Sequence, residues 1–103
     1  MTTVSTTETQ TRPDVGIQGK TRQELCPPWK VLLHNDDVNT MDHVVHALTQ
    51  SVPGMSATRA VRIMMEAHLR NVALVTVCPL ETAEYYRDRI LTFGLTSTIE
   101  PEE

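Results

Sequence analysis

The stretch "LLHNDDVNTMDHVVHAL", residues 32–48, decides the fold because an apolar run, a polar junction and a helical pattern meet in it. The apolar run begins upstream, and "WKVLLH" (29–34) predicts a short buried strand. After the junction, apolar residues recur at helical spacing: Met41, Val44, Val45, Leu48 and Val52. Asn39 suits the N-cap of that helix, with Asp42 as a weak capping-box partner.

The junction itself carries three adjacent side chains with oxygen acceptors, Asn35, Asp36 and Asp37. One interpretation is structural, because Asn and Asp favour turns and acidic groups are favoured near helix N-termini. A helix needs only one cap, however, and Asn39 is already available for it. The surplus of acceptors therefore makes this junction a candidate binding site.

The rest of the chain supplies two more helices and two more strands. Pro53-Gly54 ends the first helix, and Ser56 starts a second one that Asn71 closes, because Asn tolerates the left-handed conformation. "VALVTVC" predicts a strand, and a third helix, "LETAEYYRDRILTF", runs from Pro79 to Gly94. "LTSTIE" alternates apolar and polar residues and predicts the last strand.

The element order predicts an α/β fold, more narrowly an α+β sandwich. Its order is β-α-α-β-α-β, with a three-stranded antiparallel sheet packed against three helices. Residues 1–28 are rich in Thr, Gln, Gly and Pro, which predicts a flexible N-terminal extension before a core domain at 29–103. That extension is either an inert tail or a segment that a partner grasps.

Composition narrows the function classes for this chain of 103 residues. Its formal net charge of −4 argues against nucleic-acid binding. No apolar run is long enough for a membrane span and no secretory signal is recognisable. Two cysteines with no framework spacing fit a reducing compartment, so we expect a cytoplasmic protein.

The second helix contributes a candidate apolar wall. Met64 and His68 are four residues apart and share a helix face with Ala67 between them. Met41 starts the first helix, and methionine adapts well to apolar ligands. The alternative is that the methionines are core residues and the histidine is a surface residue.

Catalytic and metal chemistry find no support in the sequence. His43 and His46 are three residues apart, but no Cys-x-x-Cys or His-Glu-x-x-His pattern accompanies them. Neither a nucleophile elbow nor a phosphate-binding glycine loop is present. We therefore predict a protein that is not an enzyme and that has no cofactor and no metal.

Three segments together resemble the ClpS family of N-degron adaptors: "WKVLLHNDDVNTMDHVVHAL", "ATRAVRIMMEAH" and "ETAE". The resemblance covers roughly residues 29–100. It implies an adaptor that binds proteins with Phe, Tyr, Trp or Leu as first residue and delivers them to a Clp AAA+ unfoldase of the ClpA or ClpC type. The alternative is a module that docks on the unfoldase without a working degron pocket.

The resemblance also implies roles for individual residues. The α-amino group would be held by Asn35, Asp36 and His68, with a supporting loop and cap of Asp37, Asn39 and Thr40. The apolar pocket would be lined by Leu33, Met41, Val44, Met64, Ala67 and Leu95. Glu81 and Glu84 match the face that docks on the N-terminal domain of the unfoldase, and we expect a monomer.

Three positions depart from the family pattern. Asn39 stands where many members have Thr, and Asn71 replaces a frequent Gly. Ala67 stands where a larger Val is common, which is expected to widen the pocket toward aromatic residues.

Overall fold

The computed structural model describes residues 26–102 and contains three strands and three helices in the predicted order. These are β1 (Trp29–His34), α1 (Met41–Ser51), α2 (Ala57–Arg70), β2 (Val72–Cys78), α3 (Leu80–Thr92) and β3 (Ser97–Pro101). The predicted fold class is therefore confirmed. Most of the predicted N-terminal extension lies outside the described residues.

The sheet is antiparallel and has the order β2-β1-β3, so the first strand is central. The pairing of β1 with β2 shifts between Val31 and Leu32, where Val75 has no Cα partner on β1. The backbone carbonyl of Val75 accepts a hydrogen bond of 2.8 Å from the Arg59 guanidinium on α2. This shift is a β-bulge, and a neighbouring helix satisfies the carbonyl of the extra residue.

The core lies between the helices and one face of the sheet. Val31 and Leu33 on β1 face the core and are 0% and 2% exposed. This is the pattern of a strand with one face covered, because successive side chains point to opposite faces. Helix residues complete the core: Val44, Ala47, Leu48, Ala60, Ile63, Met64, Ala67, Ala83 and Ile90. Lys30, Leu32 and His34 alternate toward the other face of the sheet and are half-buried.

The helix ends correct one prediction and confirm two others. Thr40, not Asn39, is the N-cap of α1, because its hydroxyl accepts a 3.1 Å hydrogen bond from the His43 N–H. Ser56 caps α2 through the Arg59 N–H, and Asn71 ends that helix at φ 74°. The Asn39 side chain instead donates to Asp36 and to the Gly94 carbonyl.

Two further observations bear on the expected class of protein. Cys26 and Cys78 are both free thiols, and burial raises the pKa of the Cys78 thiol. Among residues 26–102, no helix has the length and apolar content that a membrane crossing demands.

Candidate functional site

A cavity of about 240 Å³ opens where the end of β1, the start of α1 and one face of α2 meet. Its lining combines polar groups from the junction with apolar groups from the two helices. The lining residues are Leu33, His34, Asn35, Asp36, Asp37, Asn39, Met41, Val44, Met64, Met65, Ala67 and His68.

Asn35 is fixed at the polar edge of this cavity by its own backbone and side chain. Its N–H donates to the Asn71 carbonyl at 2.9 Å, which ties the end of β1 to the end of α2. Its side-chain nitrogen donates to an Asp37 carboxylate oxygen at 3.3 Å. The amide nitrogen is engaged in this way, so the amide oxygen of Asn35 is oriented as a hydrogen-bond acceptor.

Asp36 organises the loop through both carboxylate oxygens. Oδ1 accepts from the backbone N–H groups of Val38 at 2.7 Å and Asn39 at 2.9 Å. Oδ2 accepts from the Asn39 side-chain amide at 2.6 Å. A carboxylate offers about four acceptor positions, so acceptor capacity remains for a ligand.

The charge of this carboxylate is stabilised by the same contacts. The side-chain hydrogen bond from Asn39 is the largest cause lowering the pKa of Asp36, followed by the Asn39 backbone N–H. Partial desolvation opposes these effects, and the N–H of Val38 and the nearby His43 add to them. Asp36 is therefore an anion at neutral pH in a fixed position.

Asn39 and His43 join the loop to the end of α3. The side-chain nitrogen of Asn39 also donates to the Gly94 carbonyl at 3.2 Å. The His43 Nε2 lies 2.6 Å from the Phe93 carbonyl, so this ring nitrogen carries the proton and donates. The loop between β1 and α1 is thus held by the backbone that follows α3.

The apolar wall comes from both helices. Val44 and Ala67 are 5% and 3% exposed, whereas Met41 at the mouth is 59% exposed. Met64 faces the same cavity as His68, one turn later on α2. Met41 and Met65 have flexible, polarizable side chains that can close over an apolar group entering from solvent.

The structure brings together most of the residues that the sequence singled out. All three residues assigned to the amino group line the cavity, as do five of the six assigned to the apolar pocket. Asp37 and Asn39 line it too, while Thr40 serves the helix cap. Glu81 and Glu84 are exposed on α3 and lie outside the cavity.

Leu95 is the exception, since it does not line the cavity. It follows Gly94, which turns the chain at φ 83°, and its side chain is 3% exposed within the core cluster. Two lining residues were missed, His34 and Met65. Met65 follows Met64 directly. A wider apolar face drawn on this helix would have included Met65 among the predicted lining residues.

The arrangement suits a small cationic group attached to an apolar one. In the part of the chain that the structure describes, no group of three or more His, Cys, Asp or Glu side chains is placed to hold a metal. Fixed acceptors stand at the edge of an apolar hollow instead. Such a site can take an ammonium group out of water only if each of its donors finds an acceptor.

Comparison of the sequence with known proteins finds one family of similar chains. The family profile described as "ATP-dependent Clp protease adaptor protein ClpS" matches residues 24–98. An ATP-dependent Clp protease adapter protein ClpS of Synechococcus elongatus is 46% identical over 83 residues, covering 81% of this chain and 87% of that protein. A chloroplastic Clp protease adapter of Arabidopsis thaliana is 40% identical, over 78% of this chain and 50% of its own length.

A solved structure shares the fold. It is ClpS2 of Agrobacterium tumefaciens bound to L-phenylalaninamide, which superposes with a TM-score of 0.69 at 33% identity. The match covers 73% of this chain and 96% of the other.

Proposed function

The chain belongs to the ClpS family of ATP-dependent Clp protease adaptor proteins, and from that premise we propose that its cavity binds the first residue of N-degron substrates. The substrates are proteins that begin with Phe, Tyr, Trp or Leu, and the adaptor delivers them to a Clp AAA+ unfoldase. The family consists of adaptors, not enzymes. The observation that carries the proposal is one cavity lined by Asn35, Asp36 and His68 together with Met41 and Met64.

The amino group of the substrate binds at the polar edge. An α-ammonium has three donors, and its removal from water is costly unless all three find acceptors. Asp36 supplies the anion, Asn35 an amide oxygen and His68 a neutral imidazole nitrogen. Each hydrogen bond to a charged group contributes about 1.5–3 kcal/mol, so a blocked amine is excluded.

The first side chain enters the apolar part of the cavity. Leu33, Val44, Met64 and Ala67 line its interior, and Met41 stands at the mouth. Burial of a large apolar side chain contributes roughly 1.5–3 kcal/mol. Neither contribution suffices alone, so selectivity requires both a free amine and a bulky first residue.

Delivery uses other parts of the chain. Glu81 and Glu84 lie in the first turns of α3 and are exposed to solvent. We assign them to docking on the N-terminal domain of a ClpA- or ClpC-type unfoldase, and residues 1–28 to an extension that the unfoldase engages. We propose that the core at 29–103 acts as a monomer and that the protein is cytoplasmic; two relatives, from Arabidopsis thaliana and Chlamydomonas reinhardtii, are chloroplastic.

A peptide series tests the proposed function directly. Peptides that differ only in the first residue, each with a free or an acetylated amine, are titrated against the full chain by fluorescence anisotropy. Selective binding of free Phe, Tyr, Trp and Leu N-termini supports the degron pocket. Binding that ignores the first residue or the acetyl group would favour an unfoldase-docking module instead.

A further inference from the structure

A second concave surface runs along the sheet beside the end of α2, where Glu66 and Arg70 line it. It is a shallow groove of about 680 Å³ that follows β1 and β2, and its lining includes Lys30, Leu32, His34, Arg70, Val72 and Leu74. Its lining is mixed, and its apolar part includes Val72 and Leu74, which are 37% and 44% exposed. Its far end carries an ion pair, with Lys30 Nζ 3.0 Å from a Glu100 carboxylate oxygen.

His34 belongs to both surfaces, because it lines the degron cavity and the groove. Its Nε2 lies 2.7 Å from the Thr98 hydroxyl on β3, which holds the ring at the junction of the two. The groove and the cavity therefore adjoin at His34. From His34 to Lys30 the strand rises about 13 Å, which is room for roughly four extended residues.

We infer that this groove, called the sheet groove below, binds residues two to five of a substrate whose first residue occupies the cavity. The inference rests on the proposed function. The amine and the first side chain are both held inside, so the rest of the chain must leave through the mouth. Side chains of an extended chain alternate, so residues 3 and 5 face the same side as residue 1.

The groove also dictates the sequence that it prefers. Leu32, Val72 and Leu74 offer partly exposed apolar area that apolar side chains at positions 3 and 5 would cover. Arg70 on one rim and the Lys30–Glu100 pair at the far end leave polar side chains at positions 2 and 4 in contact with water or with charges. The preferred substrate starts with a bulky residue and continues with apolar residues at the next two odd positions.

Three peptides test this inference on the unmodified protein. Phe-Ser-Leu-Ser-Leu-Ser is compared with Phe-Leu-Ser-Leu-Ser-Ser, which has the same composition, and with Phe-Ser amide, which is too short to reach the sheet groove. We expect the first to bind about tenfold more tightly than the second. Equal affinity of the two long peptides, with Phe-Ser amide still bound, would overturn the groove and leave the cavity intact.

A matched pair of variants locates the effect. Val72→Thr/Leu74→Thr removes apolar lining and keeps β-forming residues, while Val77→Thr is a control on the same strand, 36% exposed and outside the groove. The tenfold preference should vanish in the double variant and persist in the control, with Phe-Ser amide binding unchanged in both. A preference that survives in the double variant would contradict the assignment.

Two other outcomes separate the remaining explanations. If sedimentation shows a dimer that the double variant abolishes, the groove is an interface between copies and the inference is wrong. If none of the three peptides binds, the proposed function itself fails.

Discussion

The loop that enters α1 and the turn that enters α2 both end in a hydroxyl cap, Thr40 and Ser56, and each cap accepts one N–H at 3.1 Å. The turn into α2 needs little more, because backbone hydrogen bonds from Val52 and Met55 and the left-handed Gly54 complete it. The loop into α1 carries the further network around Asp36. The first entrance thus holds more acceptors than its cap requires, and the proposed function assigns their remaining capacity to the amino group of a substrate.

The largest expected effect comes from removal of the central acceptor of that loop. Asp36→Ala loses the anion and the anchors to Val38 and Asn39, so affinity for a Phe-initiated peptide should fall roughly a hundredfold or more, about 3 kcal/mol. Fluorescence anisotropy measures it. Asp36→Asn keeps the size of the side chain but not its charge, so its affinity should lie between those of the native protein and Asp36→Ala. An unchanged affinity in Asp36→Ala would show that this residue does not bind the amino group.

The next contrast is between the first residues of α1 and α2. Met41 begins α1 at the cavity mouth, whereas Ala57 begins α2 on the surface. Met41→Ala should admit β-branched first residues, so that Ile- and Val-initiated peptides compete within about tenfold of Leu. Competition binding tests this, with Ala57→Met as a control that should change nothing. A Met41→Ala protein that still rejects Ile and Val would show that selectivity lies elsewhere.

A smaller effect should appear when pH is varied. A neutral imidazole accepts from an ammonium, while an imidazolium repels it, so affinity should fall several-fold between about pH 8 and pH 5. Asp36 does not contribute over this range, since its lowered pKa keeps it charged. The profile should flatten in His68→Gln. If only His34→Gln flattens it, the other histidine at the cavity is responsible.

The Asn39 side-chain amide is predicted to lower the pH at which Asp36 becomes protonated. A carboxyl with a lowered pKa stabilises the fold above its unfolded-state pKa, and this stabilisation is lost as pH falls through the folded-state pKa. Asn39→Ala removes the largest cause of the lowering, so Asp36 should protonate at higher pH. Carboxyl titration by NMR measures this directly, and an unmoved titration would refute the assignment to Asn39.

The smallest effect belongs to the second helix entrance. Ser56→Ala should destabilise the protein by about 1 kcal/mol, as the loss of an N-cap does. Urea unfolding measures this. At a temperature where the variant is folded, its peptide affinity should equal that of the native protein. A large loss of affinity would show that the entrance of α2 also contributes to binding.

The sequence predicted the element order well because strands and helices here differ clearly in apolar periodicity. It failed at the cap of α1, where Asn39 and Thr40 are adjacent and both can cap a helix. The Asn39 side chain instead donates to Asp36 and to the Gly94 carbonyl, which lies 55 positions along the chain. Local patterns contain no information about such a partner.

Most of the residues that line the cavity were predictable from the sequence, and the limits of the cavity were less so. The acceptors Asn35 and Asp36 were conspicuous as a surplus, and the resemblance to a family assigned them a ligand. Leu95 was assigned to the pocket, although its side chain is in the core. The bulge at Val75 left no sequence signal, since a bulged strand alternates on either side of the extra residue.

The Arg59–Val75 contact has a consequence for the exposed edge of the sheet. β2 is an edge strand, and an unsatisfied carbonyl on an edge invites pairing with a foreign chain. The guanidinium occupies that carbonyl from within the same molecule. If the chain delivers substrates as proposed, this contact leaves one carbonyl fewer on the exposed sheet edge for an unfolded substrate to pair with.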